Sequence, residues 1–172
     1  MIYKSAQIEG YFKRPDKNIK AVLLYGQNEG LIAEYAKKLV QTVSQDLYDP
    51  FAVVYLNWDE VKNDTGLLAA EYNSQSLMGS RRVVVLKDAD NNLTKPLDEI
   101  LENSKSDTLL VIIGGASLNS RSGLVSLANN SNVMAAAACY EDRDENVASS
   151  ARTLLPVSYT HLRAHETGRI SY

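Results

Sequence analysis

Cysteine is almost absent. Cys139 is the only one in 172 residues, so no intrachain disulfide forms and no multi-cysteine metal site can be assembled. That usage fits a reducing compartment. Histidine is scarcer than its count of two implies, because His161 and His165 both fall within the last seventeen residues. There is no excess of charge of one sign: 18 basic against 21 acidic residues, mixed along the chain, leave a formal net charge of −3. This balance excludes tight, non-specific wrapping of nucleic acid by the segment on its own. No run approaches the ~20 consecutive apolar residues of a membrane span, and residues 1–10 lack the unbroken apolar core of a secretory signal. A cytoplasmic chain with no membrane contact is expected. Internal repeats and low-complexity tracts are absent as well.

The final segment, residues 156–172, has no strand alternation and follows what reads as the opening of a helix. It resembles the conceptual translation of a transposase-type sequencing adapter, which marks it as a non-native read-through tail to be excluded from fold reasoning. His161 and His165 stand at i, i+4, a spacing that on a helix brings two imidazoles to one metal. Their place in the tail removes that reading, and no metal site is expected. Without Arg163, Arg169 and Glu166 the net charge moves from −3 to −4.

What is present is ordinary globular material: 45% hydrophobic and 23% charged residues in a length that suits one well-buried domain. Five short apolar runs, at residues 21–25, 51–56, 82–86, 108–113 and 133–139, are nearly continuous, as suits strands buried on both faces. Amphipathic stretches lie between them at residues 31–45, 65–75, 97–103 and 119–129. In the first, Leu31, Tyr35, Leu39 and Val43 recur every four residues. Pro96 suits the first turn of the third, where its missing N–H costs little. Strands alternating with helices predict βαβ units and an α/β fold: three layers around a mainly parallel five-stranded sheet.

The first strand-to-helix turn is where such folds hold phosphate, and Gly26-Gln27-Asn28-Glu29-Gly30-Leu31-Ile32 invites comparison with G-x-x-x-x-G-K-[ST]. The spacing is one residue short. Leu31 and Ile32 stand where lysine and a hydroxyl are needed, and Glu29 places negative charge at the helix N-terminus that would receive the phosphate. Gly26 and Gly30 therefore read as a degenerate phosphate loop that does not bind nucleotide, in a turn capped by Asn28 or Glu29. Asp88 and Asp90 follow the third strand, at the edge where a magnesium-binding carboxylate sits in phosphate-loop enzymes. Without a phosphate lysine they read as solvated turn residues. There is no G-x-S-x-G elbow and no paired carboxylate set, so no catalytic residue and no cofactor is expected. Cys139 reads as a small buried residue. The rival reading is a phosphate-loop-like ATPase with an atypical loop.

Leu77 and Met78 stand in Ser76-Leu77-Met78-Gly79-Ser80-Arg81-Arg82, between a helical stretch and the third strand. Two large apolar side chains beside a Gly-Ser turn either close the core beneath the helix or wait for a partner. The residues alone leave both readings open.

Four stretches in register decide for a family. Residues 21–32 with Ala36-Lys37-Lys38-Leu39, Asp49-Pro50-Phe51-Ala52-Val53-Val54, residues 76–84, and Cys139-Tyr140-Glu141-Asp142 closely resemble the N-terminal domain of the delta subunit of bacterial DNA polymerase III. The resemblance runs to about residue 155. It implies an AAA+-like domain over 1–143 and the start of a connection to a helical domain over 144–155. That helical domain and a C-terminal collar domain are missing from the chain. It implies a subunit of a DNA-directed DNA polymerase holoenzyme that opens the sliding clamp for loading on primed DNA without ATPase activity of its own. The implied partners are the sliding clamp, the ATPase subunits and delta prime of the loader, and primed DNA through the complex. The positions matching the family's clamp-binding hydrophobic pair are Leu77 and Met78, Met standing where an aromatic is common. Gln75, Ser76, Arg81 and Arg82 would form its polar rim. Two such side chains contribute about 3–6 kcal/mol on burial, against roughly 8 for micromolar binding, so the pair would anchor a wider interface.

Overall fold

The computed structural model describes residues 2–3, 5–76 and 79–140. Leu77, Met78, residues 144–155 and the tail with His161 and His165 lie outside the described residues. In chain order the elements are β1 (Ile2–Tyr3), α1 (Ser5–Lys13), β2 (Ala21–Tyr25), α2 (Glu29–Gln41), β3 (Val53–Asn57), α3 (Trp58–Asn63), α4 (Thr65–Asn73), β4 (Val83–Ala89), α5 (Thr94–Asn103), β5 (Leu109–Gly114), α6 (Gly123–Asn130) and β6 (Met134–Ala138). A 3-10 turn over Asn91–Leu93 precedes α5.

All five expected strands form, and every pairing is parallel, in the order β1-β6-β2-β5-β4-β3. The two-residue β1 adds a sixth, marginal strand alongside β6. Alternation of side chains along buried strands feeds two separate apolar layers. Leu23, Val84, Leu86, Leu110 and Ile112 pack with α3, α4, α5 and α6. Val22, Leu24, Val83, Val85 and Val111 pack with α1 and α2. The result is the expected three-layer α/β sandwich.

Two helices escape periodicity. In α1, Gly10 interrupts a stretch of only nine residues, yet Ile8 and Tyr11 are buried against the sheet. In α3 the chain turns directly out of β3 with no glycine or proline between them. The Glu60 carboxylate accepts from Asn57 N–H at 3.2 Å, bracing the first turn. Pro96 lies in the first turn of α5, as expected.

Parallel strands put every strand-to-helix turn at one edge of the sheet and every helix-to-strand connection at the other. Gly26 and Gly30 therefore belong to the carboxyl edge, whereas residues 79–82 lead into β4 at the amino edge. The two candidate sites stand at opposite edges of the sheet.

Candidate functional site

At the carboxyl edge Gly26 has φ +140°, a conformation that favours glycine. A Cβ there would lie 2.0 Å from the Cys139 carbonyl oxygen. The chain leaving β6 crosses this turn. Cys139 N–H donates to the Tyr25 carbonyl at 2.7 Å, and Asn28 N–H donates to the Cys139 carbonyl at 3.0 Å. A backbone carbonyl thus takes a loop N–H of the kind that a phosphate loop turns toward its ligand. Asn28 Oδ1 accepts from Leu31 N–H at 2.9 Å and caps α2. Gly30 lies inside α2, where a Cβ would meet only Asn28 Oδ1 at 3.5 Å. The two glycines that bound the sequence motif have unrelated structural roles.

Of the two acids expected to follow the strand, Asp88 lies within β4 near its end and only Asp90 follows it. Asp88 is exposed with φ +59°. Asp90 is half-buried rather than fully solvated, and its carboxylate accepts from Asn92 N–H at 2.7 Å, capping the 3-10 turn. Burial pushes its pKa up, but the bonds from Asn92, the nearby Trp58 indole and the Lys62 charge outweigh burial and hold it below the usual range. Cys139 is buried, and burial raises its thiol to about 11. Among the described residues, no three His, Cys, Asp or Glu side chains gather as a metal site. No described helix is long and apolar enough to cross a membrane.

At the amino edge the segment before β4 is tied down by short contacts. Gly79 N–H donates to the Ser76 carbonyl at 3.2 Å, and Gly79 takes φ +69°. The Ser76 and Ser80 hydroxyls are 3.2 Å apart. Arg82 Nη1 donates to the Glu71 and Ser74 carbonyls at 3.3 and 3.1 Å, and Nη2 meets the Glu71 carboxylate at 3.2 Å. Arg81 Nε donates to the Asp107 carbonyl at 2.7 Å, and its Nη2 to the Ile19 carbonyl at 3.1 Å. The expected site residues Ser76, Arg81 and Arg82 do come together. Both guanidinium groups, however, serve acceptors within the chain. Their acceptors are mostly backbone carbonyls on distant segments, which no side-chain motif could reveal.

A cavity of roughly 500 Å³ opens beside this segment, lined among others by Asn73, Ser76, Gly79, Arg82, Lys105 and Asp107. Its floor is a hydroxyl network. Ser106 Oγ donates to the Tyr72 carbonyl at 2.8 Å and to Thr108 Oγ1 at 2.9 Å, and Ser104 Oγ donates to Asn73 Oδ1 at 2.6 Å. The phenol oxygens of Tyr11 and Tyr72 are buried, and that of Tyr72 is outside hydrogen-bond geometry to any described neighbour. Burial raises both phenol pKa values, and the Arg81 charge partly opposes it. Tyr72 is pushed up to about 12.

An unfolded tyrosine ionises near pH 10, whereas native Tyr72 holds its proton to about 12. The contribution is intact below pH 10 and is lost as pH rises from 10 to 12, amounting to about 2–3 kcal/mol. Cys139, raised from 9.0 to about 11, acts in the same direction from pH 9 upward. Urea midpoints measured between pH 8 and 12 should fall, and Tyr72→Phe should flatten the upper part of the decline. An unchanged slope in Tyr72→Phe would exclude this tyrosine as the source.

Comparison with known proteins adds three findings. The family described as "DNA polymerase III, delta subunit" matches residues 22–137. The Bacillus subtilis DNA clamp loader delta protein (YqeN) superposes with a TM-score of 0.65 at 17% identity, covering 86% of this chain and 45% of that one. The Thermotoga maritima DNA polymerase III, gamma subunit-related protein gives 0.50 at 12% identity, covering 86% and 49%. The chain spans about half the length of these solved proteins. No curated protein matches it.

Proposed function

The chain belongs to the DNA polymerase III delta-subunit family, matched over residues 22–137, and from that premise we propose that it is the AAA+-like, clamp-binding domain of a clamp-loader subunit acting in DNA replication in the cytoplasm. The domain covers residues 1–143, with 144–155 leading toward a helical domain. Leu77 and Met78 are the residues that engage a sliding clamp, with Ser76, Arg81 and Arg82 as the polar rim beside them. The ATPase subunits and delta prime of the loader, and primed DNA held by the assembled complex, are the remaining partners.

The observation that carries this reading is the family match over residues 22–137, a span that includes Leu77 and Met78. The action is conformational: binding favours an open clamp only through higher affinity for that form. Gly26 and Gly30 bind no nucleotide. The lysine and hydroxyl are missing from the loop, and the Asn28 N–H already serves the Cys139 carbonyl. Timing by ATP therefore belongs to sister subunits.

The test has two arms. The full chain should bind a purified bacterial sliding clamp in calorimetric titration. Magnesium-ATP titrated into the same protein should give no heat of binding. A chain that ignores the clamp and binds magnesium-ATP would instead support the ATPase reading.

A further inference from the structure

We propose that the rim of the outermost strand, β3, is a docking surface for a protein segment rich in arginine, received by the exposed rings of Tyr48 and Phe51 beside the Asp46 and Asp49 carboxylates. The clamp-binding reading neither uses this surface nor depends on it. In the order β1-β6-β2-β5-β4-β3, β3 has a strand neighbour on one side only. Tyr48, Phe51 and Tyr55, in the chain that enters and forms β3, are 83%, 61% and 43% exposed. Their presentation is fixed. Tyr48 N–H donates to Asp46 Oδ1 and Phe51 N–H to Asp49 Oδ1, each at 2.9 Å. The Tyr55 hydroxyl donates to the Leu47 carbonyl at 3.0 Å, and Val83 N–H to the Ala52 carbonyl at 2.8 Å, which fastens the turn to β4. Rings held in place lose little freedom when a partner docks on them.

Charge selects the occupant. Asp46, Asp49, Asp59 and Glu60 are the only charged residues between Lys38 and Lys62, so the chain that enters and leaves β3 is wholly negative. A nucleic acid strand could stack on the rings, but its phosphates would meet these carboxylates. A cation is drawn to the carboxylates and to the ring faces alike. One ring of the set already holds a cation: Lys87 Nζ lies 5.4 Å from the Tyr55 centroid. Tyr48 and Phe51 offer the same chemistry to a cation from outside. Arginine suits the surface better than lysine, because its planar guanidinium stacks on a ring while its fork meets a carboxylate. Strand addition is not the mode. Val53 N–H donates to the Asp49 carbonyl at 2.8 Å and Asn57 N–H to the Glu60 carboxylate at 3.2 Å, which blunts both ends of the edge. Side chains carry the recognition.

The experiment titrates a hexa-arginine peptide with blocked ends into the full chain at low salt, read by calorimetry and by amide chemical shifts, with dodecathymidylate as the parallel probe. Hexa-arginine should bind and shift the Tyr48, Phe51 and Tyr55 amides. Tyr48→Ser with Phe51→Ser should weaken it about tenfold, while melting stays within 2–3 °C of the parent, as for a minor surface substitution. Asp46→Asn with Asp49→Asn keeps the turn bonds, since an amide oxygen accepts the same N–H. It should weaken binding about fivefold, less at high salt. Undiminished binding by the serine variant would mean that net charge alone holds the peptide, and would overturn the proposal. Tighter, ring-dependent binding of dodecathymidylate would overturn it in favour of nucleic acid. Dimerisation in sedimentation that the serine variant abolishes would overturn it in favour of a second copy. Should the serine variant melt early, the unaltered chain decides: a peptide that leaves the Tyr48, Phe51 and Tyr55 amides unmoved sinks the proposal.

Discussion

Gly26→Ala is expected to unfold the domain or lower its melting temperature by more than about 10 °C. A Cβ at this position would lie 2.0 Å from the Cys139 carbonyl oxygen and 2.5 Å from its carbon, far inside contact distance, and both atoms are backbone. The φ of +140° is itself strained for any residue with a side chain, at roughly 1–3 kcal/mol. Relief requires moving the end of β6 away from β2. That breaks the bonds from Cys139 N–H to Tyr25 and from Asn28 N–H to Cys139, at about 1 kcal/mol each. A loss of roughly 3–5 kcal/mol is a large share of the 5–15 kcal/mol that holds a typical domain. Gly30→Ala is the control. It lies in α2 with ordinary contacts, and should be neutral or raise stability by up to about 1 kcal/mol. Thermal melts followed by circular dichroism separate the two. A Gly26→Ala protein melting within 2–3 °C of its parent, about the size of a minor surface substitution, would show that β6 does not press on this turn.

Leu77→Ala with Met78→Ala is expected to reduce sliding-clamp affinity by about 100-fold or more. Two large apolar side chains buried at an interface contribute about 1.5–3 kcal/mol each, and each 1.4 kcal/mol is tenfold in affinity. Anchors of this kind carry more of the binding energy than the residues around them. Met78→Phe should keep or improve affinity, since an unbranched thioether and a ring of similar bulk can fill one pocket. Melting of the double variant, compared with its parent, distinguishes docking from core closure. If the pair closed the core, truncation would lower stability by several kcal/mol. A double variant that stays folded and binds the clamp as its parent does would end the anchor assignment.

Much of this was legible in residue order, and the exceptions have particular causes. The runs at 21–25, 82–86 and 108–113 were readable because strands buried on both faces need side chains that are apolar almost without interruption. The alanine-rich run at 133–139 was readable by continuity alone, since alanine favours helix and only burial against β2 and α6 makes Met134–Ala138 a strand. Helices α1 and α3 were missed because nine and six residues carry too few apolar positions to show a period. The Asn57–Glu60 spacing was the signal available for α3. Gly26 and Gly30 looked equivalent in the string, yet one sits at a clash point and the other inside a helix.

By itself, residue order determined the α/β class and the alternation of strand and helix, because each depends on side-chain type at a local spacing. Tertiary structure alone decided that the Cys139 carbonyl occupies the turn at Gly26, and that Arg81 and Arg82 face inward to Ile19, Glu71, Ser74 and Asp107. Those contacts are to backbone carbonyls brought close by the order of parallel strands. A carbonyl is present at every residue, so nothing in a side-chain sequence marks which one a guanidinium will find.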